Sequence, residues 1–472
     1  MFRRKNKAGV TTTTIAILAI VLLIVGVVGG YFAGEMTGYQ RGYGEGEETG
    51  YGTGYEKGHK EGYDKGYEAG LAAAPTPTPT PPPPPPPITE VVIGALYPFT
   101  GPEALVGELA RRVIEMAVRE INEAGGIKSL GGAKLRIVYG DTAAKPEIGM
   151  AEAERLITEE KVVALMGCYH SSVTLPSSEA AERYKIPFVN PESSSPKLTE
   201  RGFEWFFRIH PHDKIFAKVH LQFLHDLEEK TGVDIKTIAL VYENTLFGTT
   251  AGDAWKEYNK DPEIGGFEIV ADITYPYESP DLTSEVMTLK EANPDVVLMA
   301  SYDPDAILFQ KTFVELDFNP KAILAMDSGH IHQSFIEAAG KYGDYVLSRD
   351  PWFPDVKKDV SLTLDAKYYE LYGSHLVGDQ VEEYTAVYLF KWVLEKCGST
   401  DPTAIRDTLR TIEVPKEWIP QSWEGIKFGP DGQNIYAAGA IAQLFDGVYC
   451  TVWPWDVAAR EVVFPQPTWD QR

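Results

Sequence analysis

From residue 88 to the end of the chain, apolar runs too short to be helices alternate with longer amphipathic stretches. Runs at 91–96, 135–138, 162–166 and 186–189 read as strands buried on both faces, and the stretches 105–124 and 147–160 between them repeat their apolar residues at helical spacing. Gly125 and Gly126 stop the first helix, since glycine accepts the left-handed backbone of a helix end. After 205–209 the alternation restarts. Strands are predicted at 237–242, 269–273, 296–300 and 322–325, with helices near 213–230, 247–259, 282–292 and 305–316. Such alternation predicts an α/β fold of two doubly wound lobes, each on a parallel sheet. Helices near 360–372, 380–397 and 402–411 follow, and 437–453 reads as strand. A tail giving helices to one lobe and strands to the other makes the chain cross between lobes more than once.

The first 87 residues follow other rules. Arg3, Arg4, Lys5 and Lys7 precede an uncharged span whose apolar part, 15–33, is long enough to cross a hydrocarbon core of about 30 Å as a helix. The basic tip places the N-terminus in the cytosol and the remainder outside, so residues 1–34 read as a basic tip and transmembrane anchor. A cleaved secretory signal shares the positive start, but the run is long for one and has no clear A-x-A-like site at its end. The Lys7-Ala8-Gly9-Val10 junction resembles a pilin-type processing site, where clipping after the glycine leaves the apolar helix in place. Between Gly30 and Gly70 a glycine recurs at every fourth position, many followed by tyrosine. Residues 35–74 therefore read either as a helical stalk that self-associates along a glycine stripe or as a flexible tether, because each glycine costs a lone helix about 1 kcal/mol. The proline-rich 75–87 is a polyproline II spacer of roughly 40 Å.

Charge and cysteine content narrow the partners. Lysine and arginine number 44 against 68 acidic residues, a net charge of −24 that disfavours nucleic-acid backbones and anionic membrane surfaces. Three cysteines, Cys168, Cys397 and Cys450, are too few for a disulfide scaffold, and their spacing does not decide whether one bridge forms.

The most informative chemistry lies in two segments, 162–172 (VVALMGCYHSS) and 186–195 (IPFVNPESSS), each running an apolar strand straight into serines. In an open parallel sheet the ligand crevice lies beyond the carboxyl ends of the strands, so hydroxyls delivered there by two strands indicate a site for a small polar solute. Ser171 and Ser172 also fit a helix cap. Cys168 with His170 raises the alternative of a thiol nucleophile on a strand-to-helix turn, with no third partner evident. His330-x-His332 lacks the further ligands of a metal site, and no phosphate-cradling G-x-x-x-x-G-K-[ST] motif is present, so neither metal nor cofactor is expected. Trp453, Trp455 and Trp469 read as packing on the second lobe rather than as a recognition patch.

Segment 93–102 (IGALYPFTGP) resembles the opening strand and loop of the branched-chain amino-acid-binding (Leu/Ile/Val-binding) type of ABC-transporter solute-binding protein. Segment 117–126 (AVREINEAGG) is similar to that family's first helix and its glycine stop. The likeness continues through Tyr139-Gly140-Asp141, 167–176, 190–199, Ser301-Tyr302-Asp303-Pro304 and Phe428-Gly429-Pro430-Asp431-Gly432. It implies a type I periplasmic-binding fold, a hinged clamp with three crossovers near 209–213, 347–352 and 425–433. Lobe one would comprise 88–210 and about 350–428, and lobe two 211–349 and about 429–472. The function implied is capture of an amino acid or similar small solute between the lobes and its presentation to ABC permease subunits, without catalysis.

Carried over residue by residue, the resemblance puts Ser171, with Ser172 beside it, at the ligand's carboxylate and the helix-start amides. Ser193 and Ser194 fall in the loop that faces the ammonium group, although Glu192 stands there where the family has a small residue. Tyr302 matches a tyrosine covering the ligand, and Asp327, or by a one-residue slip Ser328, matches the ammonium-binding acid. Phe247 replaces a family tyrosine and Val106 another aromatic, which removes hydroxyls from the expected pocket. Two rival functions stay open at this point: a sensory ectodomain acting through a separate partner, and a thiol-dependent amide hydrolase using Cys168.

Overall fold

The computed structural model describes residues 87–472 together with Gly58 and Gly62, both of which are helical. The expected anchor, the rest of the stalk and the proline run up to residue 86 lie outside the described residues. Among the described residues no helix is long and apolar enough to cross a membrane.

Lobe one starts with β1 (Glu90–Tyr97), α1 (Ala104–Glu123), β2 (Lys134–Asp141), α2 (Pro146–Thr158), β3 (Ala164–Gly167), α3 (Ser171–Tyr184), β4 (Phe188–Asn190) and β5 (Phe206–Arg208). Its sheet is wholly parallel, in the order β2-β1-β3-β4-β5. Lobe two follows with α4 (Asp213–Thr231), β6 (Thr237–Glu243), α5 (Leu246–Tyr258), β7 (Glu268–Tyr275), α6 (Thr283–Ala292), β8 (Val296–Ala300), α7 (Asp303–Glu315), β9 (Ala322–Met326), α8 (Gln333–Ala339) and β10 (Leu347–Asp350). The chain then returns to lobe one as α9 (Asp359–Tyr372), α10 (Gly378–Cys397) and α11 (Pro402–Thr411), forms a small ribbon of β11 (Glu413–Pro415) and β12 (Gly425–Lys427), and ends in β13 (Ala440–Phe445) and β14 (Val448–Trp453). It thus passes between the sheets three times, after β5, after β10 and after β12.

The second sheet runs β14-β13-β10-β9-β8-β6-β7. It is mixed rather than parallel throughout, because β13 runs antiparallel to β10 and β14 antiparallel to β13. The stretch expected as one strand at 437–453 is this hairpin, folded at Asp446-Gly447, where φ angles of 50° and 79° suit an Asp-Gly turn. Strands β8 and β9 are buried at every position, which explains their uninterrupted apolar sequence. Trp453 and Trp455 edge against Phe223 of α4, and Trp469 against Tyr342, so all three tryptophans pack on lobe two. The three cysteines are free.

Two local devices set the cleft. Asp141 at the end of β2 accepts bonds from the Phe99 and Thr100 N–H groups at 2.9 and 3.2 Å and from the Thr100 hydroxyl at 2.7 Å, fixing the loop after β1. Helix α1 lies against that loop through Gly107, where an added Cβ would stand 2.2 Å from the Pro98 carbonyl oxygen. Overpacking against backbone costs on the order of 1–3 kcal/mol. Gly107→Ala is therefore expected to lower unfolding stability by about that amount in urea titration; a change within measurement error would show that the helix can shift without cost.

Candidate functional site

The loops at the carboxyl ends of β3 and β4 in lobe one and of β6, β8 and β9 in lobe two meet around a hollow. Ser171, Ser193, Ser194, Phe247, Tyr302 and Asp327 all line it, so six of the seven residues singled out from sequence are brought together. Ser172 is not among the lining residues; one position further along α3, it is half-buried away from the hollow. Tyr169, Glu192, Ser328 and Asp379 complete the wall. The free volume is about 20 Å³, enough for roughly one water. A solute of amino-acid size therefore enters only when the lobes part.

Ser171 is the first residue of α3, and no side chain caps this helix start. Its Oγ accepts a bond from the Ser195 N–H at 3.2 Å, which leaves the hydroxyl proton free to donate. The first N–H groups of any helix lack intrahelical partners and carry the positive end of its dipole, so this corner favours an anion. The neighbouring loop is held by Arg208, buried completely, whose guanidinium donates to the Ser193 and Ser195 carbonyls at 3.0 and 2.6 Å. Ser193 spends its own hydroxyl on Thr174, at 2.6 Å, and on the Cys168 and Tyr169 carbonyls. Ser194 turns its carbonyl to the Asp213 N–H at 3.0 Å, at the start of α4. Both serines thus shape the loop as much as they line the hollow.

On the lobe-two side Tyr302 sits among aromatic rings, 5.3 Å from Phe247, 5.5 Å from Tyr169 and 4.5 Å from His170 between centroids. The turn after β9 comes this close because Gly329 has no side chain: a Cβ there would lie 2.3 Å from the Tyr302 carbonyl carbon. Asp327 and Ser328 adopt left-handed φ angles of 39° and 50° in that turn. Asp327 is already paired, with Arg349 at 2.8 Å and His210 at 3.4 Å.

Several contacts cross the cleft. Tyr169 and Ser328 share a hydroxyl–hydroxyl bond of 2.7 Å. His332 of lobe two bridges Asp303 at 2.6 Å and Asp379, in the first turn of α10, at 3.0 Å. Both ring nitrogens are thereby engaged, and although burial opposes charge, the two aspartates hold this imidazole well above its ordinary range. Among the described residues no group of three or more His, Cys, Asp and Glu side chains is placed to hold a metal.

The site's interior is acidic. Glu192 accepts from the Tyr97 hydroxyl at 3.2 Å, and among the described residues its Oε2 meets no donor except a protonated Glu383 beside it. Burial pushes the Glu192 carboxyl up to about 8, with Asp379 and Glu382 acting the same way against a lowering hydrogen bond from Glu383, and burial and Glu192 raise Glu383. Burial also pushes Glu382 up to about 7, against the pull of His210. His210 itself is raised to about 9: burial opposes its charge, but Glu382 at 2.5 Å and Asp327 outweigh it.

Cys168 lies wholly inside the lobe-one core, and burial pushes its thiol up to about 12. Since the thiolate is the nucleophile, this environment is wrong for covalent catalysis. His170 offers it no help, being buried and pushed down to about 3 by desolvation, with its Nε2 turned to Tyr277.

Sequence reading missed Asp379 as a wall residue. An acid in the first turn of a helix is what the helix dipole favours anywhere, so nothing in its position sets it apart. Tyr169 was equally hidden, as one aromatic among the residues leading into α3.

The family model of periplasmic binding proteins matches residues 90–447. A Leu/Ile/Val-binding protein homolog 7 of Brucella suis biovar 1 (strain 1330) is 29% identical over 386 residues, covering 80% of this chain and 94% of the relative. In three dimensions the chain is similar to the leucine-binding protein LivK of Thermotoga maritima, with a TM-score of 0.68, 21% identity and coverage of 76% of this chain and 97% of that one. It is also similar to the branched-chain amino acid transporter substrate-binding protein LivJ of Streptococcus pneumoniae, solved in complex with isoleucine, with a TM-score of 0.67, 19% identity and coverage of 80% and 100%. At these identities the structural likeness is one of fold. With the family model spanning most of the chain and the two-sheet architecture in agreement, this chain belongs to the periplasmic binding protein family.

Proposed function

We propose that this chain is the extracellular solute-binding component of an ABC importer, tethered to the cell membrane through its N-terminal segment. It closes two lobes on an amino acid or a similar small polar solute and hands that solute to the permease subunits. One observation carries the reading: hydroxyl-bearing turns of lobe one and the Tyr302 and Asp327 turns of lobe two converge on the same hollow. A solute seated there touches both lobes only when they are closed, so binding shifts the population toward the closed form. The isoleucine complex of the similar LivJ protein supports an amino-acid ligand. The carboxylate would lie at Ser171 and the α3 amides, where a free hydroxyl proton and a helix N-terminus meet. The ammonium would face the acidic wall.

A thermal-shift screen of amino acids, amides and other small polar solutes tests the reading, since a ligand that binds only the folded chain raises its melting temperature. With the ligand so found, Ser171→Ala is expected to weaken binding by about 1.5–3 kcal/mol, the size of one hydrogen bond to a charged group. Calorimetry returning an unchanged Kd would take Ser171 out of the site.

The ionisation pattern makes a second prediction. His210, raised from 6.5 to about 9, contributes stability that is complete below pH 6.5 and is lost as pH rises through about 9. The buried carboxyls Glu192, Glu382 and Glu383, all raised, likewise favour the folded chain while protonated and act in the same direction. His170 and His330, pushed down to about 3 and about 4 by burial, matter only below 6.5. The melting temperature without solute is therefore expected to fall between pH 6.5 and 9, and His210→Asn to flatten that fall. A melting temperature that is level or rises over this interval would contradict the assignment.

A further inference from the structure

We infer that the hollow is built for a small solute of net positive charge, a basic amino acid or a short diamine, rather than for a neutral aliphatic amino acid. The inference rests on the solute-binding reading above and specifies the ligand of the same site.

Three carboxyl groups, those of Glu192, Asp327 and Asp379, line the hollow, and no lysine, arginine or histidine among the described residues does. Their compensation from behind is unequal. Asp327 has Arg349 and His210; Asp379 shares one imidazole, that of His332, with Asp303. Among the described residues Glu192 has no cation beside it. The residue is only 5% exposed, and the group beside it is Glu383, another buried acid, with which it can share a proton but no charge. Close to the aromatic wall Glu103, 1% exposed, repeats the pattern: its Oε1 lies 3.5 Å from the Tyr277 hydroxyl and its Oε2 has no partner.

A buried acid without a counter-charge is costly to ionise, and an ammonium or guanidinium set against it removes that cost. A neutral amino acid brings a carboxylate together with its ammonium and leaves the excess of acid as it was. A basic amino acid or a diamine reduces it. Tyr169, Phe247 and Tyr302 also line the hollow, and aromatic rings attract a cation. Over longer range, a chain of net charge −24 draws cations toward the cleft.

The test is titration calorimetry of the full chain with L-lysine, 1,5-diaminopentane and L-leucine, backed by thermal shift. L-Lysine or the diamine is expected to bind at least about tenfold more tightly than L-leucine, the least that one charge-assisted bond supplies. Tighter binding of L-lysine than of the diamine assigns the carboxylate corner at Ser171 to the ligand; the reverse order assigns a diamine. Glu192→Gln preserves shape and removes the acid that ionises against the cation, and is expected to weaken the cation by about tenfold or more and L-leucine by clearly less. Should Glu192→Gln fail to fold, Asp379→Asn serves as the second variant with the same expectation. L-Leucine binding as tightly as L-lysine overturns the inference and leaves the solute clamp standing. No binding of any of the three overturns the inference, and failure of the wider solute screen as well removes the clamp.

Discussion

Closing two lobes over one another takes carboxyl groups out of water, and the architecture between the sheets answers that cost. Arg349, wholly buried, carries its guanidinium over the Phe216 ring and pairs with Asp327; His210 ties Asp327 to Glu382; His332 joins Asp303 to Asp379 across the cleft. His210 and Arg349 sit where the chain leaves one sheet for the other, Asp303, Asp327 and His332 in or beside loops that strands deliver to the cleft, and Asp379 and Glu382 in the first turns of α10. Removing one partner from such a set leaves the other buried and unpaired, which is far worse than never having placed either there. The charges therefore define one closed arrangement.

The same constraint explains how closure and ligand are coupled. With room for about one water between the lobes as they lie here, the hollow takes in an amino-acid-sized solute only from an open form, and its walls adjust around the solute as the lobes close again. Entry requires the Tyr169–Ser328 and His332–Asp379 bonds to break, and the energy returned by the solute must exceed what those bonds contribute. These two contacts are a modest barrier, roughly 1 kcal/mol net for the neutral Tyr169–Ser328 bond and roughly 1.5–3 kcal/mol for the charged His332–Asp379 bond. This is the scale at which a small ligand can move a two-state equilibrium.

Much of the fold was legible because buried parallel strands have no polar face to blur them. The strand at 296–300 was read to the residue, and the first helix to within one residue of each end, since Gly125 and Gly126 punctuate it. Strand β10 was not legible. Its sequence, Leu-Ser-Arg-Asp, reads as a polar loop, and it is buried only because Arg349 has Asp327 and Phe216 as partners that appear far away in the chain. The turn at Asp446-Gly447 was visible in composition but was read through as one strand, because its flanks are both apolar. In the site, the serine turns announced themselves by following strands directly. Glu192 was noticed only as a departure from the family resemblance, and its meaning depends on Glu383, brought beside it by a helix about 190 residues later. Contacts across the cleft are tertiary facts, and no local pattern encodes them.

A bound solute draws the lobes together, and small-angle scattering from the 88–472 fragment measures that directly. Addition of saturating ligand, taken from the solutes that raise the melting temperature, is predicted to reduce the radius of gyration and to narrow the distance distribution relative to the ligand-free fragment. Scattering curves that superimpose with and without bound ligand would contradict closure as the basis of function.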